Sequence, residues 1–299
     1  AIYTMWGGVP AYWERLDQDL SVMENLQHQL MPYQSWMIDE SRTLLQDFIT
    51  EPHNYVAVLR AIADGLQSLG EISERAGLSG NHTSFYLSVL RDAGFVQREV
   101  PISQLDQKDS RRGRYFVVDP FLRFYYRFLA AFQSKLALGQ QQQTIHAIEE
   151  ALPQFIEANT WRELSRNWLL EASANGEFPL PVENVGSEWK RNFMVDVVGL
   201  DKKSKSIVLG DCFWREEPVG LESIQDLVRK TQSALPNNDE WNVYYVIFSA
   251  SGWTAEAEEK AQSIIDAAAS RRRRSWQPVG IRLVNLQTLD EDLNRWANG

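Results

Sequence analysis

The stretch FMVDVVGLDKKSKSIVLGDCFW, residues 193–214, constrains this chain more than any other. Two apolar runs flank the charged turn LDKKSKS, the pattern of a β-hairpin whose strands are covered on both faces. Each run nevertheless carries one acid, Asp196 and Asp211. A carboxylate in such surroundings is costly unless it neutralises, pairs or binds a cation. Successive strand residues point to opposite faces, so Asp211 and Phe213 are expected on one face and Cys212 on the other. If the hairpin closes, Asp196 and Asp211 come near each other. Neighbouring carboxylates raise one another's pKa, and a cation with oxygen ligands, Mg²⁺ or Mn²⁺, is a common remedy. The other reading is that each acid sits at a strand end and meets solvent or an arginine. From the pattern alone both stay open.

The hairpin lies inside a longer alternation. From about residue 145 come two helices, HAIEEALPQFIEA and WRELSRNWLLEAS, then a strand around VENVGSEW and the hairpin itself. The helix GLESIQDLVRKTQSAL, the strand WNVYYVIFSA, the helix AEAEEKAQSIIDAAAS and the strand GIRLVNL follow. Strands mixed with helices at this spacing predict an α/β domain with a mixed central sheet covered on both faces.

Upstream the pattern differs. GGVPAYWERLD reads as a Gly-rich turn and a helix, and helical patterning continues to a boundary at TEPHNY, residues 50–55. YVAVLRAIADG, LGEISERAGL and NHTSFYLSVLRDAGFV are three helical patterns, followed by VQREVPI, a polar turn SQLDQKDSRRG, and RYFVVDP. Three short helices and a hairpin predict a winged helix-turn-helix. The aromatic-rich helix PFLRFYYRFLAAFQSKL, residues 120–136, is expected to pack between domains, and GQQQQT to be a polar spacer. The expected organisation is α+β and multi-domain: a helical lid-like segment over 1–52, the winged helix over 53–119, a linker helix and spacer over 120–150, and the mixed-sheet domain over 151–299.

In the third of the three short helices, Thr83, Leu87 and Leu90 fit the buried stripe, leaving Asn81, His82, Ser84, Phe85, Ser88 and Arg91 outward. Asn81, Ser84 and Arg91 are candidate DNA contacts, with Arg111, Arg112 and Arg114 at the wing. Helices that read DNA are usually richer in Arg, Lys, Asn or Gln, and exposed Phe85 suggests a protein contact instead. Residues 55–118 carry eight basic and seven acidic residues, a balance of +1 in a chain whose formal net charge is −10. That balance excludes a wholly basic surface and leaves local patches open. Arg271 and Arg272 open a run of four arginines after a helix. They read either as a phosphate-binding patch or as a charge-complemented helix end.

The single Cys212 and four scattered histidines offer neither disulfide nor zinc framework, which suits a reducing compartment and predicts a cytoplasmic protein. No apolar run reaches the roughly 18 residues of a membrane span, and the start has no signal-peptide pattern. Because it does not begin with Met, the chain is expected to be a piece of a longer protein.

GGVPAYWERLD, AIADGLQSLGEISERAGLSGNHTSFYLSVLRDAGFV, GRYFVVDPFLRFYYRF, VDVVGLD and VLGDCFW together resemble the C-terminal half of a group of archaeal and bacterial ATPases, the DUF234 family. In that family a P-loop domain (AAA/STAND-like) is followed by a lid, a winged helix and a domain related to PD-(D/E)XK nucleases. The resemblance implies a restriction-endonuclease-like last domain in which Asp196 and Asp211 hold Mg²⁺ or Mn²⁺, Glu163 is a further helix acid, and phosphodiester hydrolysis is the chemistry. The triplet's lysine position is filled by Phe213, which can neither donate a hydrogen bond nor carry charge. A relocated cation, Lys230 or Arg215, would have to replace it; otherwise the scaffold is degenerate. No GxxxxGK[ST] loop occurs, so ATP binding is implied only for a longer parent carrying the ATPase domain. The expectation is thus an effector region of a nucleotide-regulated ATPase, with weakened or lost cleavage. The alternatives are an active Mg²⁺-dependent endonuclease or a DNA-binding regulator.

Overall fold

The computed structural model describes residues 1–30, 36–46, 52–107, 110–237, 239–270 and 275–298, without the side chains of 42, 46 and 137. The chain separates into two compact units, Ala1–Val100 with Arg111–Leu152, and Pro101–Ser110 with Pro153–Gly299. It is α+β, with a five-stranded mixed sheet in the second unit. Among the described residues no helix is long and apolar enough to cross a membrane.

The first unit begins with α1 (Ile2–Trp6), α2 (Pro10–Trp13), α3 (Val22–Leu30) and α4 (Trp36–Gln46). There follow α5 (His53–Ala63), α6 (Leu69–Ala76) and α7 (Gly80–Asp92). The sequence sets these ends locally. Ser68 and Glu71 form a reciprocal capping box at the start of α6, and Gly77 closes that helix at φ +67°. Ser79 then caps α7 through the His82 amide. The strands β1 (Val96–Glu99) and β2 (Arg114–Val117) pair antiparallel.

Asp119 caps α8 (Pro120–Phe124), with Pro120 at the tolerated first position. The helix runs through a π-helical turn, Tyr125–Leu129, into α9 (Ala130–Ala137). Its rings Phe121, Phe124, Tyr126 and Phe128 are buried inside this unit, which packs the segment against α1, α4 and α5. The expected spacer GQQQQT is not one: α10 (Gln141–Ile156) begins within it, and Thr144 is fully buried with its hydroxyl donating to the Gln140 carbonyl. A glutamine run is compatible with helix, and burial of Thr144, Ile145 and Ile148 decides the matter.

In the second unit a π-helical turn, Glu157–Trp161, leads into α11 (Arg162–Ala174). The sheet follows in sequence order: β3 (Asn184–Lys190), β4 (Phe193–Asp201), β5 (Ser206–Phe213), β6 (Trp241–Ser249) and β7 (Trp276–Asn285). The first three strands are antiparallel neighbours, and β5–β6 and β6–β7 are parallel, crossed by α12 (Leu221–Ala234) and α13 (Ala255–Ala269). Ile224, Leu227, Ala257, Ala261 and Ile265 of these helices close one face, over Ile207, Leu209, Val243 and Tyr245. The other face carries α11 and α14 (Leu286–Asn298), where Trp168 packs edge-on against Phe248 of β6 and donates to Asp292 at 2.9 Å.

β7 is longer than the expected GIRLVNL. As the last strand in the sheet it tolerates Pro278, beside a register shift at Val243/Tyr244. Ile102, from the segment between β1 and β2, is 1% exposed within this unit's core, and the Ser103 amide donates to Glu188 at 3.1 Å.

Candidate functional site

The pairing of β3 with β4 departs from regular register at one point. Gly186 of β3 faces Val198 of β4 and Glu188 faces Val195, so β4 spends one residue more than β3 over the same interval. The bulge contains Asp196 and Val197. It lets Val195 and Val198 enter the same apolar core, although strict alternation would put them on opposite faces. Asp196 is thereby turned toward α11. Its Oδ1 accepts from the Arg162 guanidinium at 2.8 Å, and its Oδ2 accepts from the Cys212 amide at 3.2 Å. Its backbone carbonyl accepts from the Ser187 hydroxyl and from Arg166 Nε at 3.4 Å. The π turn ahead of α11 shifts that helix's register and aims Arg162 and Arg166, four residues apart, at this one strand position.

Asp211 sits in regular strand, one residue after Gly210. A Cβ at Gly210 would meet the Val246 carbonyl at 3.1 Å, so the backbone here is tightly packed. The Asp211 side chain is 7% exposed, and faces α12 with Phe213. Lys230 of α12 places its Nζ 2.6 Å from Oδ2. Oδ1 is buried and has no hydrogen-bond partner among the described residues. Burial pushes this carboxyl up to about 6, the Asp196 charge adds to the rise, and Lys230 opposes it. Asp196 and Asp211 therefore lie within electrostatic reach, each closed by a cation from a different helical layer.

A groove of about 390 Å³ opens beside Asp211 and Lys230, lined also by Phe193, Phe213, Ser223 and Arg229. Phe213 stands where a lysine was expected, with the Arg215 guanidinium 4.5 Å from its ring centroid. Arg215 is thus committed to the ring, and Lys230 is the cation that reaches the acid. Cys212 points to the α11 face. Burial and the Asp196 charge hold its thiol well above the usual range, which suits a packed side chain and not a nucleophile. Glu163 stands beside Arg162 on α11, half-buried, with a buried Oε2. The neighbouring charges that shift Asp211 are those of Asp196 and Lys230.

Among the described residues no group of three or more His, Cys, Asp or Glu is placed to hold a metal. A two-carboxylate arrangement remains, and Mg²⁺, which keeps several of its waters, is commonly held by one or two carboxylates. Oδ1 of Asp211, without a partner among the described residues, is an oxygen such an ion needs, whereas both oxygens of Asp196 are engaged, so the donor set fits once Asp196 is released from Arg162.

In the first unit, Asn81, His82, Ser84 and Arg91 are exposed on α7, and Phe85 is 61% exposed. Thr83, Leu87 and Leu90 are buried, as their spacing requires. Arg111 is exposed, while Arg112 and Arg114 are half-buried. Arg271 and Arg272 lie outside the described residues.

Sequence reasoning missed Arg162. Its signal was present: Arg162 and Arg166 are spaced i, i+4 beside the buried stripe Trp161, Ser165, Trp168, Leu169. Two cations flanking a buried stripe call for an anion on the sheet beneath.

No solved structure matches the chain. An uncharacterised protein of Methanocaldococcus jannaschii, MJECL04, is 26% identical over 266 residues, covering 88% of this chain and 58% of that protein. The chain thus spans little more than half the length of the curated relative it matches. A family model described as archaeal and bacterial proteins of unknown function, DUF234, matches residues 125–227, an interval that contains Glu163, Asp196 and Asp211 and ends three residues before Lys230, so the chain is similar to that family across the acids of the site.

Proposed function

We propose that the second unit is a restriction-endonuclease-like domain that hydrolyses phosphodiester bonds with Mg²⁺ or Mn²⁺, and that Lys230 on α12 takes the place of the lysine displaced by Phe213. The observation that carries this reading is the Lys230 Nζ 2.6 Å from Asp211 Oδ2, in the groove that Phe213 also lines. Asp211 would hold the ion through its Oδ1, and Asp196 would join it on release from Arg162; the bound ion would supply Lewis-acid polarisation of the phosphate and a more acidic water. Lys230 contributes a donor and a positive charge where the attacking oxygen and the pentavalent phosphorus gather negative charge. One such preorganised group is worth roughly 10²–10³ in rate. Arg162 fixes the rotamer of Asp196.

Slow turnover follows from the same contacts. Asp196 and Asp211 are balanced by Arg162 and Lys230, so a divalent ion meets a site with no net charge from these four groups. A second reading, a scaffold without cleavage, is favoured by the hold of Arg162 on both the rotamer and the charge of Asp196. In that case the domain is the effector of an ATPase carried elsewhere in a longer, cytoplasmic parent, and ATP acts only there. The α5–α7 and β1–β2 segment reads in both cases as a winged helix-turn-helix. It serves DNA through Asn81, Ser84, Arg91, Arg111, Arg112 and Arg114, or docking through Phe85.

Purified chain incubated with plasmid and Mn²⁺ tests the choice. Nicking that falls roughly 10²–10³-fold in Lys230→Ala, with the Mn²⁺ binding heat lost in Asp196→Asn, is the expected outcome. Nicking that survives Lys230→Ala, or is absent from the wild-type chain, overturns it.

A further inference from the structure

The groove beside Asp211 is not only acidic and basic. Two aromatic rings, Phe193 at the start of β4 and Phe213 at the end of β5, line it next to the Asp211–Lys230 pair. Both rings pack against the core while remaining only partly buried. Each carries a cation: Arg215 lies 4.5 Å from the Phe213 centroid, and Lys190 Nζ lies 5.9 Å from that of Phe193. Lys190 is held there by donating to the Ser233 carbonyl at 2.7 Å. Arg229 also lines the groove, paired with Asp226. The opening itself is lined by two basic side chains, Arg229 and Lys230, and two acidic ones, Asp211 and Asp226, while Arg215 and Lys190 stand over its rings.

Aromatic rings interleaved with cations are the surface that single-stranded nucleic acid uses, because every base has a π-face and every linkage a negative charge. A base paired inside a duplex offers neither face to a side chain. The opening, about 390 Å³, falls in the roughly 300–1,000 Å³ range of small-ligand sites. A lysine at position 213 would supply a second charge there; phenylalanine supplies a stacking surface instead.

We propose that the groove binds an unpaired nucleotide of a single-stranded polynucleotide. Its base stacks at Phe213 and Phe193, displacing the Arg215 guanidinium from the Phe213 ring, and its phosphate turns toward Lys230. The proposal rests on the phosphodiester reading for the position of the phosphate, and adds the substrate class: single strands, flaps or frayed ends in preference to intact duplex.

The test uses the whole chain with Ca²⁺ in place of Mg²⁺, and a thymidine oligonucleotide carrying one 2-aminopurine, against a blunt duplex of the same length. Anisotropy gives affinity, and 2-aminopurine quenching reports stacking. The expected result is at least tenfold tighter binding of the single strand, with quenching. Phe213→Leu and Phe193→Leu should each weaken binding about tenfold, the scale of one stacked base, and reduce the quenching; Phe213→Tyr should retain both. Unchanged thermal unfolding in the Leu variants separates lost stacking from lost fold. Equal affinity for duplex, or quenching indifferent to both Leu variants, overturns the proposal, and it does so even where Mn²⁺-dependent nicking is observed. Quenching that depends on Phe213 in a chain that nicks nothing supports the groove as a base-binding site and overturns the hydrolytic reading alone.

Discussion

The two faces of the sheet treat their acids differently. On the α11 face, Asp196 has both oxygens engaged, by a guanidinium and a backbone amide, and even its carbonyl is used. On the α12 face, Asp211 has one oxygen on Lys230 and the other without a partner among the described residues, and its carboxyl is pushed up to about 6. The first is the arrangement of a residue built into the fold. The second leaves a buried acceptor unpaired, which costs free energy and persists where something else uses it. A pair of acids in one hairpin can thus divide its labour: one is fixed, the other is kept available.

The largest effect expected of this asymmetry is on stability. Arg162→Met leaves Asp196 without its counter-charge, at 18% exposure, and should cost about 3 kcal/mol in chemical denaturation, as breaking a largely buried pair does. A loss below about 1 kcal/mol would break the contrast. A smaller effect follows pH. The folded-state pKa of Asp211 lies above its ordinary value of 3.8, so the stability it contributes is fully present below about 3.8 and is lost as pH rises through about 6. Thermal unfolding measured between pH 4.5 and 7.5 should show a decline on the order of 2 kcal/mol that Asp211→Asn flattens.

Smaller again is Lys230→Met, at about 1 kcal/mol, because Lys230 is a third exposed and Asp211 can take up a proton when its partner is gone. Equal losses for Lys230→Met and Arg162→Met would erase the distinction between the faces. The smallest concerns the first unit: Phe85→Ser, at an exposed position of α7, should change stability by less than about 0.5 kcal/mol. It serves as the baseline for the rest.

Much of the sheet was legible because its signals are local. The turn LDKKSKS does join two antiparallel strands, Val198 opposite Leu209 and Leu200 opposite Ile207, and the alternation that puts Asp211 with Phe213 holds. Lys230 was a nameable candidate because α12 follows β5 and packs over it. What the sequence hid depends on one inserted residue. The bulge at Asp196 reverses the side on which that acid emerges, and no composition rule marks it, since Val195, Val197 and Val198 look alike in either register.

The final helix α14 was overlooked, although Asn285 caps it through the Thr288 amide and Leu289 and Trp296 recur at helical spacing. The strand pattern of GIRLVNL runs into it without a break. Arg162 escaped because its partner lies on another element, and arginine on a helix ordinarily reads as solvated.

Ile102 has a practical consequence. Its side chain lies over Gly186, with Cβ and Cδ1 each 3.7 Å from where a methyl on that glycine would stand, and it belongs to the same core as Val195 and Val198. The second unit is therefore assembled from two separate lengths of polypeptide, Pro101–Ser110 and Pro153–Gly299. Expressing 153–299 by itself would leave a notch beneath β3, and a recombinant version would need those ten residues supplied by grafting or in trans.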